Sequence, residues 1–101
     1  STNLTSITIP DGVTSIKEHA FRDCTNLTSI TFLGNVSSVD SYAFYQCTNL
    51  TSITFLGNAP SLMRPELVFY KSSPTIYRKP EAKGWGDTWG GRPVKLISEK
   101  P

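Results

Sequence analysis

The chain has 101 residues, a formal net charge of +2 and a hydrophobic content of 38%. That length holds one domain with a modest core, burying roughly 65% of the unfolded surface. No apolar run approaches the roughly 20 residues of a membrane-spanning helix, so no membrane insertion is expected.

Charge divides the chain in two. Up to Met63 it carries only Lys17 and Arg22 against Asp11, Glu18, Asp23 and Asp40, and most of its polar positions there are Ser or Thr. From Arg64 onward it carries eight basic side chains against Glu66, Glu81, Asp87 and Glu99. These bases are scattered rather than striped along one element, which argues against nucleic acid as a partner.

In chain order, the first element is a strand. Thr5-Ser6-Ile7-Thr8-Ile9 is β-branched and alternates with period two. Pro10-Asp11-Gly12 turns the chain, Val13 and Ile16 supply further apolar positions, His19 falls on a polar turn, and Ala20-Phe21 leads to Cys24. Then the sequence starts again. Thr-Asn-Leu-Thr-Ser-Ile-Thr begins at Thr2, Thr25 and Thr48, a spacing of 23, and the last two copies continue identically through Phe-Leu-Gly-Asn. Stacking the copies aligns Leu4, Leu27 and Leu50; Ile7, Ile30 and Ile53; Ile9, Phe32 and Phe55; Val13, Val36 and Ala59; and Ile16, Val39 and Leu62. Each column is apolar throughout. A unit this short cannot close its own core, so the columns are read as layers of one core built by stacking. Adding 23 to Ile53 predicts a fourth strand at Thr75-Ile76-Tyr77. Around and after it, Pro74, Pro80 and Pro93 with Gly84, Gly86, Gly90 and Gly91 break the pattern.

Asn3-Leu4-Thr5-Ser6-Ile7-Thr8-Ile9-Pro10-Asp11-Gly12-Val13-Thr14-Ser15-Ile16, followed by Ala20-Phe21-x-x-Cys24, resembles the bacterial BspA-type leucine-rich repeat. The likeness covers residues 2–62. It implies a right-handed β-rich solenoid with a parallel sheet on one face and short irregular, 3₁₀ or helical segments on the other. It also implies a cell-surface or secreted binding module, with no catalytic residues to carry over. The organisation expected is leucine-rich repeats over 1–62, then an irregular last repeat and C-terminal cap over 63–101, in which Leu62 to Tyr70 replace the Ala-Phe-x-x-Cys segment.

Asn3, Asn26 and Asn49 each precede an inward Leu, where an amide can bond main-chain groups at the turn and reach its counterpart in the next coil. Each is also an Asn-x-Ser/Thr acceptor, as is Asn35 in its turn. Cys24 and Cys47 lie one coil apart, a distance that does not exclude a disulfide, but side chains in a stacked column point in parallel, and reduced core packing is the expectation. Two cysteines and one histidine make a poor metal set. No cofactor is expected, and no nucleophile motif, metalloprotease motif or phosphate loop is present, which argues against an enzyme.

The functional candidate is the sheet face. If Ile7 and Ile9 point in, then Ser29, Thr31, Leu33, Ser52, Thr54, Leu56, Thr75 and Tyr77 point out. A protein partner fits this neutral hydroxyl face best. Glycan binding by the same ladder, or by Trp85 and Trp89 as a sugar platform, is the alternative, and purely structural spacer repeats are a third reading. The plainer reading of Trp85, Trp89 and Tyr77 is a seal over the last coil. The chain opens at Ser1 without an initiator Met or signal peptide, so the expectation is a piece of a longer protein whose first coil self-associates or frays.

Overall fold

The computed structural model describes residues 5–18, 20, 21 and 23–99. Asn3, Leu4 and His19 lie outside the described residues. The elements run β1 (Ser6–Ile9), β2 (Ser15–Ile16), β3 (Ser29–Phe32), β4 (Ser38–Val39), β5 (Ser52–Phe55), β6 (Ser61–Leu62), α1 (Pro65–Val68), β7 (Thr75–Arg78), β8 (Thr88–Trp89), β9 (Arg92–Leu96) and a 3₁₀ turn at Ile97–Glu99. They form a solenoid. One sheet has six strands in the order β1-β3-β5-β7-β9-β8 and the other has three, β2-β4-β6.

The repeat spacing sets the register directly. Ile7 pairs with Ile30, Ile30 with Ile53 and Ile53 with Ile76, all parallel. Ile30, Ile53 and Ile76 are buried, as are Phe32 and Phe55. The column of Ile16, Val39 and Leu62 forms the second sheet, with Ser15 paired to Ser38 and Ser38 to Ser61. Only irregular or helical segments were expected on that side. A single inward apolar residue per coil, β-branched in Ile16 and Val39, is sufficient for a short rung.

Repetition also stacks rings. Phe32 and Phe55 lie 4.8 Å apart at 8°. A second pile runs from Phe21 to Phe44 at 5.4 Å and from Phe44 to Phe69 at 5.3 Å. Phe69 corrects the expectation that the Ala-Phe-x-x-Cys segment is lost after Leu62. Val68-Phe69-Tyr70-Lys71-Ser72 reproduces Ala43-Phe44-Tyr45-Gln46-Cys47, displaced by a small insertion. Phe44 N–H donates to Val68 O and Gln46 N–H to Tyr70 O, just as Phe21 donates to Ala43 and Asp23 to Tyr45. Asp23, Gln46 and Lys71, which end these turns, all have positive φ, at 60°, 57° and 62°. α1 absorbs the insertion. The four residues Thr48 to Thr51 are then replaced by two, Ser73 and the buried Pro74, which restores the strand register at β7.

The last coil is shorter. Ile76 pairs with Val94, well short of the spacing that separates the earlier strands, and β8 folds back antiparallel to close the sheet edge with Trp89 opposite Arg92. Trp89 is buried against Phe55 at 5.0 Å and Phe69 at 5.6 Å. Its indole N–H donates to Pro60 O at 3.2 Å, and that of Trp85 to Gly57 O at 3.3 Å. Both rings cover the last core layer. Tyr77 takes no part in that cover, because its strand phase turns it to the outer face.

Candidate functional site

The outer face of the six-stranded sheet is built by strand alternation alone. Thr8, Thr31, Thr54, Tyr77 and Lys95 form one row across the strands, and Ser6, Ser29, Ser52 and Thr75 another. Leu33 continues the β3 phase at the rim and is 45% exposed. Leu56 and Thr75 are half-buried, like Ser29 and Thr31.

The face is not uniformly open. Ser52, Thr54 and Tyr77 were expected to be displayed and are only 8%, 6% and 7% exposed. Thr54 lies between Thr31 and the much larger Tyr77, and Tyr77 between Thr54 and Lys95. At a strand spacing of about 4.8 Å, side chains of that size shield each other. The accessible part is therefore Ser29, Thr31 and Leu33 on one side and Leu56 and Thr75 on the other, around a closed floor. Trp89 is likewise buried with its N–H committed, and so has no open ring face for a sugar; Trp85 is half-buried on Phe55 at 5.1 Å.

The recurring polar residues tie coil to coil. Thr28 Oγ1 donates to Thr5 O at 2.8 Å and Thr51 Oγ1 to Thr28 O at 3.0 Å, while Ser37 Oγ donates to Thr14 O at 2.9 Å. Asn49 Nδ2 donates to Thr25 O at 2.6 Å. The turn residue Asn35 is exposed, and its Oδ1 accepts the Asn58 N–H at 3.0 Å; Asn58 Oδ1 in turn accepts the Lys83 N–H at 2.9 Å. Such bonds satisfy polar groups that stacking takes away from water.

Away from the wide sheet, sequence reasoning missed a tyrosine cluster. Tyr45 and Tyr70 stack at 5.7 Å and 9°, and Tyr42 meets both edge-on at 5.5 and 6.5 Å. Lys71 Nζ lies 5.8 Å from the Tyr70 ring centre. The signal was the Phe-Tyr pair recurring at Phe44-Tyr45 and Phe69-Tyr70, hidden because its second copy arrives later than the repeat spacing puts it.

Neither cysteine is in a disulfide. Burial pushes the Cys47 thiol up to about 11, partly offset by the backbone amide of Cys24. Among the described residues no group of three or more His, Cys, Asp or Glu side chains is placed to hold a metal ion, and no helix is long and apolar enough to cross a membrane.

The sequence profile of the BspA type Leucine rich repeat region (6 copies) matches residues 1–76. The chain belongs to the BspA-type leucine-rich repeat family. No curated protein and no solved structure matches it. Membership suggests a protein-interaction or adhesion-type repeat module, generally non-catalytic and typically surface-associated in bacteria. The match extends past Leu62 through the fourth strand's Ile76, consistent with the register that carries β7 into the same sheet.

Proposed function

We propose that the protein is a non-catalytic binding module of a cell-surface or secreted protein, and that it engages a protein partner through the outer face of the six-stranded sheet. Ser29, Thr31, Leu33, Leu56 and Thr75 make the contacts, with Ser52, Thr54 and Tyr77 as the rigid floor beneath them. The observation that supports this reading is the combination of hydroxyl rows, one of which ends on the exposed Lys95, with Leu33 left 45% exposed at the rim. Interfaces of this kind gain affinity from many small contacts on a preorganised surface rather than from one deep pocket.

The test is a parallel capture with the immobilised protein, a Thr31→Arg variant on the sheet face and a Tyr70→Ala variant in the tyrosine cluster away from it, together with a glycan array. Loss of the captured protein with Thr31→Arg alone, at an unchanged thermal midpoint, is the expected result. Equal capture by the wild type and Thr31→Arg, or capture lost only with Tyr70→Ala, would move the binding surface off this face.

A further inference from the structure

Cys24 and Cys47 are the only cysteines in the chain and occupy equivalent positions in the first two coils. Their relation is defined by one atom. The main-chain oxygen of Phe21 accepts both the Cys24 N–H, at 3.4 Å, and the Cys47 Sγ–H, at 2.9 Å. Two donors on one oxygen at those distances lie within about 6 Å of each other, so the Cys47 sulfur sits beside the Cys24 main chain. The two coils are clamped just before this point by Phe21 N–H to Ala43 O and Asp23 N–H to Tyr45 O, both 2.8 Å. Coils tied this way run about 5 Å apart, inside the Cα separation of about 4.4 to 6.8 Å that a disulfide spans.

The third coil has Ser72 at the same position, and its hydroxyl is buried with no hydrogen-bond partner. The column therefore holds two sulfurs and ends on an oxygen. Cys47, which three cysteines in a row would leave with a choice of partners, has one. Access also differs between the two: Cys24 is half-buried and within reach of a small reagent, whereas Cys47 is buried.

We propose that Cys24 and Cys47 form a coil-to-coil disulfide when the folded chain meets a low-molecular-weight disulfide. The Cys24 thiolate attacks one sulfur of oxidised glutathione and expels a glutathione thiolate, leaving a mixed disulfide. Cys47 then gives up its proton and attacks the Cys24 sulfur, expelling the second glutathione. The cysteine pair loses two electrons and two protons, and the small disulfide is reduced to two thiols. Because Cys47 is buried and its thiolate disfavoured, closure is the slow step and the adduct on Cys24 is the intermediate to look for. The bond would fasten the first coil to the second away from the outer sheet face, leaving that face unchanged.

Incubation of the folded full chain in glutathione redox buffer at about pH 8, near the thiol range where exchange is efficient, followed by intact mass and thiol titration, tests this. The wild type should pass through a single glutathione adduct and end two hydrogens lighter than the reduced chain, with both thiols lost within one chain, and should gain about 10 °C in thermal midpoint, reversed by dithiothreitol. Cys47→Ala should stop at one glutathione adduct. A wild type that stays fully reduced, halts at the Cys24 adduct or cross-links between chains would overturn the proposal.

Discussion

At the C-terminal end of the solenoid, Trp89 and Trp85 lie across Phe55 and Phe69, their indole nitrogens bond carbonyls of the previous coil, and β8 pairs back on β9 to finish the sheet. The first coil uses the same columns differently. Ile7, Ile9, Val13 and Phe21 are only partly buried, and the Phe21 ring stacks on Phe44 on one side. Chemically equivalent positions thus contribute unequally among the described residues, because one stacked between two described coils gains burial from both and one in the first described coil from a single side. Tryptophan works at the closing end because one ring covers a wide apolar layer while its N–H satisfies a buried carbonyl.

Trp89→Ala should break this comparison most sharply, costing about 3 to 5 kcal/mol through the cavity over Phe55 and Phe69 and the orphaned Pro60 carbonyl. Phe21→Ala, at the other end of the phenylalanine pile, should cost about half as much. Denaturant titration of both variants measures the difference; equal losses would mean that the first described coil is as consolidated as the tryptophan-covered one.

The turns repeat the contrast. A Cβ on Gly57 would run into Asn35 Oδ1 and, at 2.8 Å, Gly34 O, whereas one on Gly12 in the first coil meets nothing within 4 Å. Gly57→Ala should therefore lose about 1 to 3 kcal/mol and Gly12→Ala almost nothing. Thermal unfolding of the pair gives the answer.

Cys47 predicts a pH effect inside the stack. Its thiol is raised from 9.0 to about 11 in the folded protein, so above pH 9 the unfolded chain sheds a proton that the folded chain retains. Stability should fall as pH rises from about 9 to about 11, and the slope should be shallower in Cys47→Ala. The smallest effect belongs to Ser72→Ala. Removing a buried hydroxyl that has no partner should be neutral or stabilising by up to about 1 kcal/mol. A clear loss in its unfolding curve would reveal a bond that the hydroxyl makes.

The strand register was legible because repetition is a strong signal: Ile30, Ile53 and Ile76 lie where a spacing of 23 puts them. Where the spacing slips, the sequence misleads. Val68-Phe69-Tyr70 reads as a departure from the repeat because an insertion displaces it, although the Phe69 ring still sits on Phe44. The second sheet was missed because so short a rung carries too little periodicity to distinguish a strand from a turn. On the face itself, alternation gave the direction of Thr54 and Tyr77 but not their depth. Depth depends on how large the neighbour one strand away is, which no local pattern encodes. β9 escaped notice for a related reason: it joins the sheet sooner than the repeat spacing would place it, with Pro93 and Lys95 interrupting its apolar positions.

The side-chain ties between coils share a direction. Thr28, Ser37, Asn49, Thr51, Trp85 and Trp89 each donate to a carbonyl of an earlier coil. For these six ties, a coil arriving during synthesis from the N-terminus brings the side-chain donor to a carbonyl already in place, whereas main-chain bonds such as Phe21 N–H to Ala43 O run the other way. The ordering cost falls on a few newcomer side chains rather than on both partners at once. In this set of ties growth of the solenoid is templated, and the two indoles and then Arg92, which donates to Pro74 O and Ser73 O, continue it by reaching backwards.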